Sequence, residues 1–397
     1  MNKLSAALTQ LPTWVKSEVV AWRRQLHQYP ELSFEEHRTA QFIRETLASF
    51  NGFEISSPTA TSVVAKLKGA HPGRKIAFRA DIDALPIKEE TELPYASQHE
   101  GVMHACGHDG HTAILLAAAK ALSESKHLLH GEIVFIFQHA EELPPGGAEQ
   151  LVAANVLDGV ELIIGLHLAS QLPVGKIGIV YGEMAASPDN FTITVHGAGG
   201  HAGFPHTAID PITTGAQIVT GLQHIVSRMT NPLEKLVVSI TQFTAGASHN
   251  VIPDKATIKG TVRSFSSAVR EQAPKQIQAL IDGIASAHGA KAELHYVYGY
   301  HPVVNDDQVT ALVESTAGEL LGEEAIQHSP PGMSGEDFSA YQQIVPGAFF
   351  NVGAGNLQSG IHYPHHHSKF NIDEQALEIG TLLFIELGRK LLHKQEH

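Results

Sequence analysis

The chain has a single cysteine, Cys106, among 397 residues. One thiol cannot close an internal disulfide, so the fold needs no oxidising compartment and a cytoplasmic location is expected. Long apolar runs are missing too. No segment approaches the roughly 18 consecutive apolar residues of a membrane span. The first twenty residues are interrupted by Thr, Gln, Pro and Lys, which makes a poor secretion signal. Basic residues are outnumbered, 27 Lys and Arg against 41 Asp and Glu, for a formal net charge of −14. That surplus argues against nucleic acid or an anionic membrane as partner. Internal repeats are absent, and no low-complexity tract exceeds the run His365–His367.

Histidine, by contrast, is abundant: 26 residues, nearly as many as Lys and Arg together. Hydrophobic residues make up 43 %, an ordinary globular share. The length exceeds what one hydrophobic core usually serves, so two domains are expected. Near the N-terminus, Trp14–His27 has amphipathic helical spacing and stops at Pro30. Ser33 with Glu36 reads as a capping box opening a second helix. Short apolar runs bounded by turn residues follow at 62–67, 75–78, 132–137 and 161–168, with a helical stretch at 112–122 between two of them. Strands alternating with helices predict an α/β fold with a parallel sheet, whose ligands gather at the carboxyl ends of the strands.

From about Asn190 the rhythm changes. Strands are expected at 191–195, 236–243, 256–265 and 292–298, with helices at 210–229 and 268–288. This β-α-β-β-α-β order is the ferredoxin-like pattern. The predicted organisation is a domain made of 1–187 and 302–397 with a second, 188–301, inserted into it. A last helix is expected over 374–392.

Three pieces of sequence fall on one rim of such a sheet. Cys106 and His108 sit in a loop entering a helix, Glu141 and Glu142 follow the strand at 132–137, and His167 closes the strand at 161–168. A thiolate, imidazoles and a carboxylate converging on one place suit a zinc-like ion better than magnesium. The adjacent carboxylates would give a metal hydrolase one ligand and one unligated base. Taken one at a time these residues have ordinary readings: a solvated Glu-Glu turn, a buried histidine, or Cys106 as nucleophile with His108 or His111 as its base.

The strings RADIDALPIKEE, GVMHACGHDGHTA, QHAEELPPGGA, GGHAGFPH, NVIPD, GTVRSF, MSGEDFS and HHHSKFNIDE run in this order through nearly the whole chain. With them the sequence resembles the M20 family of metallopeptidases, in the branch of aminoacylases, hippurate hydrolases and auxin-conjugate amidohydrolases. The resemblance implies a zinc-exopeptidase-like catalytic domain carrying an inserted lid and dimerisation domain. It further implies two divalent ions per chain (zinc, manganese or cobalt) held by Cys106, His108, Glu142, His167 and a C-terminal histidine. That last ligand maps to His367, with His366 as the alternative register, and Ser368 stands where the family has proline. Glu141 would be the general base and His201 an oxyanion donor, often acting at the partner subunit's site. Asn250 and Arg263 would hold a substrate carboxylate, and Asp81 is a possible support for the ligands. His104 and His111 are expected to face the loop and the following helix, and Ser334–Ser339 to be a structural loop.

The implied reaction is hydrolysis of N-acyl amino acids by a homodimer. A dipeptidase or carboxypeptidase, an N-acetyl-diaminopimelate deacetylase and a non-catalytic metal-binding protein are the alternatives.

Overall fold

The computed structural model describes residues 3–393. The chain divides into two compact units. One comprises Met1–Gly182, Val304–Pro330 and Asp337–His397; the other comprises Glu183–Val303 and Pro331–Glu336.

The first unit is built on an eight-stranded mixed sheet. Its order is Phe53–Ser56, Val63–Lys68, His130–Gln138, His71–Asp81, Leu162–Pro173, Gly347–Gly355, Ile177–Ile179 and Ile326–His328. The four central strands, from His130–Gln138 to Gly347–Gly355, are mutually parallel. Such strands are covered on both faces, and their sequences are accordingly near-continuous apolar runs. Val134, Phe135, Ile136 and Phe137 are fully buried in succession, as are Ile76, Ala77 and Phe78.

The helix His108–Glu124 is buried along nearly its whole length. An all-round apolar helix belongs inside a protein, and this one lies among the helices Val15–Gln28 and Gln375–Leu391 and the sheet. Gly380 lets the last helix come close: a Cβ there would lie 2.7 Å from Cδ1 of Ile114.

The capping box expected at Ser33 and Glu36 does not form. The helix runs His37–Ala48 without a side-chain cap. Ser33 Oγ instead donates to Asp83 Oδ2 at 2.6 Å, and Glu36 accepts amides from Phe34 and Ala140. Buried tertiary partners outcompete the local cap.

The second unit holds a four-stranded antiparallel sheet ordered Leu236–Ala245, Lys255–Ser264, Ser187–His196, Lys291–Val297. Helices Pro211–His224 and Ser267–Ala287 complete the β-α-β-β-α-β order. Asp210 caps the first of them by accepting from the Ile212 amide, and a π-helical turn, Ile225–Met229, extends its end. Phe191, Ile193, Ile218, Ile258 and Ile277 are central to a separate core. Among the described residues no helix is long and apolar enough to cross a membrane.

Candidate metal centre

The carboxyl ends of two neighbouring parallel strands, and the middle of a third, supply the site. His71–Asp81 ends on Asp81, His130–Gln138 leads into Glu141 and Glu142, and Leu162–Pro173 carries His167. The loop bearing Cys106 enters the helix that begins at His108. Two glycines make this entry possible. Gly107 adopts φ +97°, a conformation side chains disfavour, and a Cβ on Gly110 would lie 2.4 Å from Leu168 Cδ1.

Cys106 Sγ lies 3.5 Å from His167 Nε2 and 3.7 Å from His365 Nδ1. Glu142 Oε1 lies 3.3 Å from His366 Nε2 and 3.8 Å from His108 Nε2. Three overlapping sets each bring their donor atoms within 4.8 Å of one another: Cys106, His108 and His167; Cys106, Glu142 and His366; His108, Glu141 and Glu142. The first four expected ligands are thus brought together, with the expected base beside them.

The last position falls differently from the expectation. His366, not His367, faces Glu142. His367 stacks on Tyr363 with ring centroids 4.6 Å apart, and its Nδ1 accepts the Lys369 amide. His366 has φ +65°, uncommon for a residue with a Cβ, and its amide donates to Ala105 O at 2.8 Å, tying this loop to the cysteine loop. Ser368 contributes bonds of its own: its carbonyl accepts the Glu90 amide and its hydroxyl donates to Glu90 Oε2.

Outer contacts orient the donors. His108 Nδ1 faces Asp83 O and Oδ1 at 2.9 and 3.2 Å, which turns Nε2 toward the cluster. That Nε2 is buried and has no hydrogen-bond partner among the described residues. His167 Nδ1 donates to Leu168 O, leaving its Nε2 toward Cys106. Asp83 Oδ2 also accepts the Glu142 amide at 3.0 Å. Asp81 takes Arg79 Nη1 at 2.7 Å and His111 Nδ1 at 2.6 Å, so it supports the centre through His111. His111 does not simply face its helix: its Nε2 accepts the Leu168 amide.

Electrostatics point to a bound cation. Burial, together with Glu142, Glu141 and Asp81, pushes the Cys106 thiol well up. An activated nucleophile needs the opposite environment, whereas a coordinated thiol is deprotonated by the ion itself. Burial depresses His108, yet Asp81, Asp83 and Glu142 outweigh it and raise this imidazole to about 10. The pocket thus favours positive charge at His108, where a donor atom stands without a partner. A thiol, imidazoles and carboxylates together fit a transition-metal ion.

Next to this centre lies a network with no forecast in the sequence. Asp109 accepts Arg23 Nε at 2.8 Å and His27 Nδ1 at 2.7 Å, with Arg23, His27 and Asp109 all buried. Arg23 stands 86 positions from Asp109, which no local pattern reveals. His104 is also buried, and burial pushes it down to about 4.

In the second unit, His201 pairs with Val251 and the Ala202 amide donates to Asn250 O, so His201 and Asn250 are neighbours. Both lie beyond the end of the sheet where His196 pairs with Lys255. Arg263 pairs with Pro188 at the other end, eight residues along the strand, or roughly 26 Å at about 3.3 Å per residue. Its Nη1 donates to Asp189 O, Val262 O and Thr261 Oγ1. Arg263 is not brought to the other two.

The sequence profile described as Peptidase family M20/M25/M40 matches residues 77–390. The chain is 57 % identical over 294 residues to the N-acyl-L-amino acid amidohydrolase of Geobacillus stearothermophilus, covering 74 % of this chain and 80 % of that protein. It is 43 % identical to the N-acetylcysteine deacetylase of Bacillus subtilis strain 168, covering 94 % and 96 %. The crystal structure of Bacillus subtilis YXEP protein, described as a dinuclear metal binding peptidase from the M20 family, superposes with a TM-score of 0.84 at 39 % identity, covering 96 % of this chain and 99 % of that one.

Proposed function

The chain belongs to peptidase family M20/M25/M40 and is a metal-dependent amide hydrolase, and on that premise we propose that it hydrolyses N-acyl amino acids to a carboxylic acid and a free amino acid. One observation carries the mechanism: two consecutive carboxylates, one of which faces His108 and His366 while the other stands beside it.

The proposed ligands are Cys106, His108, Glu142, His167 and His366, the last in place of His367. Two divalent ions held there, zinc or else manganese or cobalt, would supply Lewis acidity toward the scissile carbonyl and toward water. Glu141 takes the proton of the attacking water on its carboxylate and passes it to the departing nitrogen. Asp83 holds both His108 and the Glu142 main chain, which keeps ligand and base in register. His201 is proposed to donate a hydrogen bond to the oxygen that gains charge in the transition state. Asn250 and Arg263 would hold the free carboxylate, a task suited to the guanidinium fork.

A small substrate cannot touch both ends of one sheet roughly 26 Å long. His201 and Asn250 are therefore proposed to act beside Arg263 of another copy, in a homodimer formed through the second unit. The strand Leu236–Ala245 is an edge of that sheet and carries exposed Phe243, which offers a route for pairing. A reducing compartment such as the cytoplasm suits an unpaired thiol ligand.

Close similarity to carriers of the amidohydrolase and deacetylase names supports acyl amino acids over peptides, although a protein named thermostable carboxypeptidase 1 of Saccharolobus solfataricus is 38 % identical over 99 % of each chain. The test is amine release from N-acetyl and N-benzoyl amino acids against dipeptides, with the metal-reconstituted enzyme and with Glu141→Gln. Fast release from acyl amino acids, abolished by chelation and by the substitution, is the expected result. Preference for dipeptides would favour the peptidase reading, and metal binding without any amine release would overturn both.

A further inference from the structure

Glu36 is fully buried, unusual for a carboxylate. Its Oε1 accepts two main-chain amides, Phe34 at 2.9 Å and Ala140 at 2.8 Å. Both donors stand in the left-handed region, at φ +68° and +50°. A residue with a Cβ persists there only where its surroundings hold it. One carboxylate oxygen holds both.

Ala140 immediately precedes Glu141 and Glu142. Its left-handed conformation lies just past the strand His130–Gln138, and the direction of Glu141 follows from it. The Ala140 carbonyl is held as well, by the Gly147 amide at 3.1 Å. Neighbours of Glu36 grip the same loop. The Phe34 ring meets His139 edge-on with centroids 5.6 Å apart. Ser33 Oγ donates to Asp83 Oδ2, the oxygen that also receives the Glu142 amide. Segment 33–36 thus grips the loop before Glu141 directly and the Glu142 amide through Asp83.

We propose that Glu36 is a positioning residue for amide hydrolysis: by accepting the Ala140 amide it fixes the left-handed turn that aims Glu141. The inference rests on Glu141 being the base. Glu36 acts through the main chain of Ala140, not on the substrate. What this requires is an acceptor at the right reach, not a charge.

The test follows from that distinction. Glu36→Gln keeps a carbonyl oxygen at the same reach and is expected to retain kcat. Glu36→Asp keeps the charge but is one methylene short. It is expected to lower kcat by about 10²-fold, the scale of a misplacement of about 1 Å, with KM and metal per chain unchanged. Adding Ala140→Gly to Glu36→Asp should recover at least about tenfold, because glycine enters the left-handed region without a Cβ clash. Wild-type kcat in Glu36→Asp, or an equal fall in Glu36→Gln, would overturn the inference. Where Glu36→Asp does not fold, Glu36→Gln decides alone: unchanged kcat supports the acceptor role and a 10²-fold fall refutes it. Full activity in Glu141→Gln would sink the base assignment and this role with it. An inactive Glu141→Gln beside an unaffected Glu36→Asp would sink only the role of Glu36.

Discussion

His111 donates through Nδ1 to Oδ1 of Asp81 at 2.6 Å. The other ring nitrogen accepts the Leu168 amide at 2.8 Å, so the neutral ring can have only one tautomer. Leu168 follows His167, one of the proposed ligands, and the His111 and His167 rings meet with centroids 4.6 Å apart. Asp81 thereby bears, through His111, on the strand segment that carries His167.

Asp81 uses one oxygen for Arg79 and the other for His111, and asparagine keeps only one acceptor, so Asp81→Asn sets an amide NH2 against one of these donors and removes the charge that fixes this tautomer. Loss of such an outer partner typically costs about 10- to 100-fold in metal affinity or activity. The expected outcome for Asp81→Asn is a fall of that size in metal affinity, read by competition with a chelator of known affinity. Unchanged affinity and activity would show that the His111 bridge is only structural.

The two adjacent histidines give a sharper test. His366→Ala should lower the metal retained per chain and reduce kcat by at least about 10²-fold. His367→Ala should retain metal, since that ring is engaged with Tyr363 and the Lys369 amide. Elemental analysis after reconstitution and desalting reads both. A reversed pattern would return the ligand role to His367.

What could be read from the sequence was whatever has a period or closes an apolar run. Glu142 and His167 could be placed on one rim because parallel strands are continuous hydrophobic segments and their ends are visible. The alternation at 191–195 and 256–265 gave the strands of the second unit for the same reason. Three consecutive histidines have no period. The choice among them rests on the left-handed φ of His366 and its bond to Ala105 O, both properties of a folded loop. Ser33 and Glu36 satisfied a local pattern, but the long-range partners Asp83 and Ala140 claimed their side chains. Arg23 and Asp109 are joined only once the helix Val15–Gln28 lies against His108–Glu124.

That buried pair has its own expected cost. Burial alone would raise the Asp109 carboxyl, but Arg23 and His27 outweigh it and hold it well below the usual carboxylate range. Asp109→Ala leaves Arg23 buried with Tyr95, Glu374 and Asn371 as its remaining partners. Breaking a buried pair from one side costs about 3–5 kcal/mol. Urea unfolding should show a loss of that order, and a loss below about 1 kcal/mol would mean that the remaining partners suffice.

Glu36 links the positioning argument to pH. Burial raises its carboxyl from the ordinary 4.5 of a glutamate to about 7, against the hydrogen bonds that lower it. An acid whose pKa is higher folded than unfolded binds more protons when folded, so protonation stabilises the native state. The contribution is fully present below about pH 4.5 and is lost as the pH rises through about 7. At about 1.4 kcal/mol per unit it amounts to about 3 kcal/mol. Glu36→Gln cannot titrate, so this contribution is absent from its pH profile. Unfolding free energies measured from pH 4.5 to 7.5 should therefore show wild type losing stability relative to Glu36→Gln by roughly that amount across the window. Parallel profiles would mean that the folded carboxyl titrates no higher than the unfolded one, and the acceptor at Ala140 would then be a charged one at neutral pH.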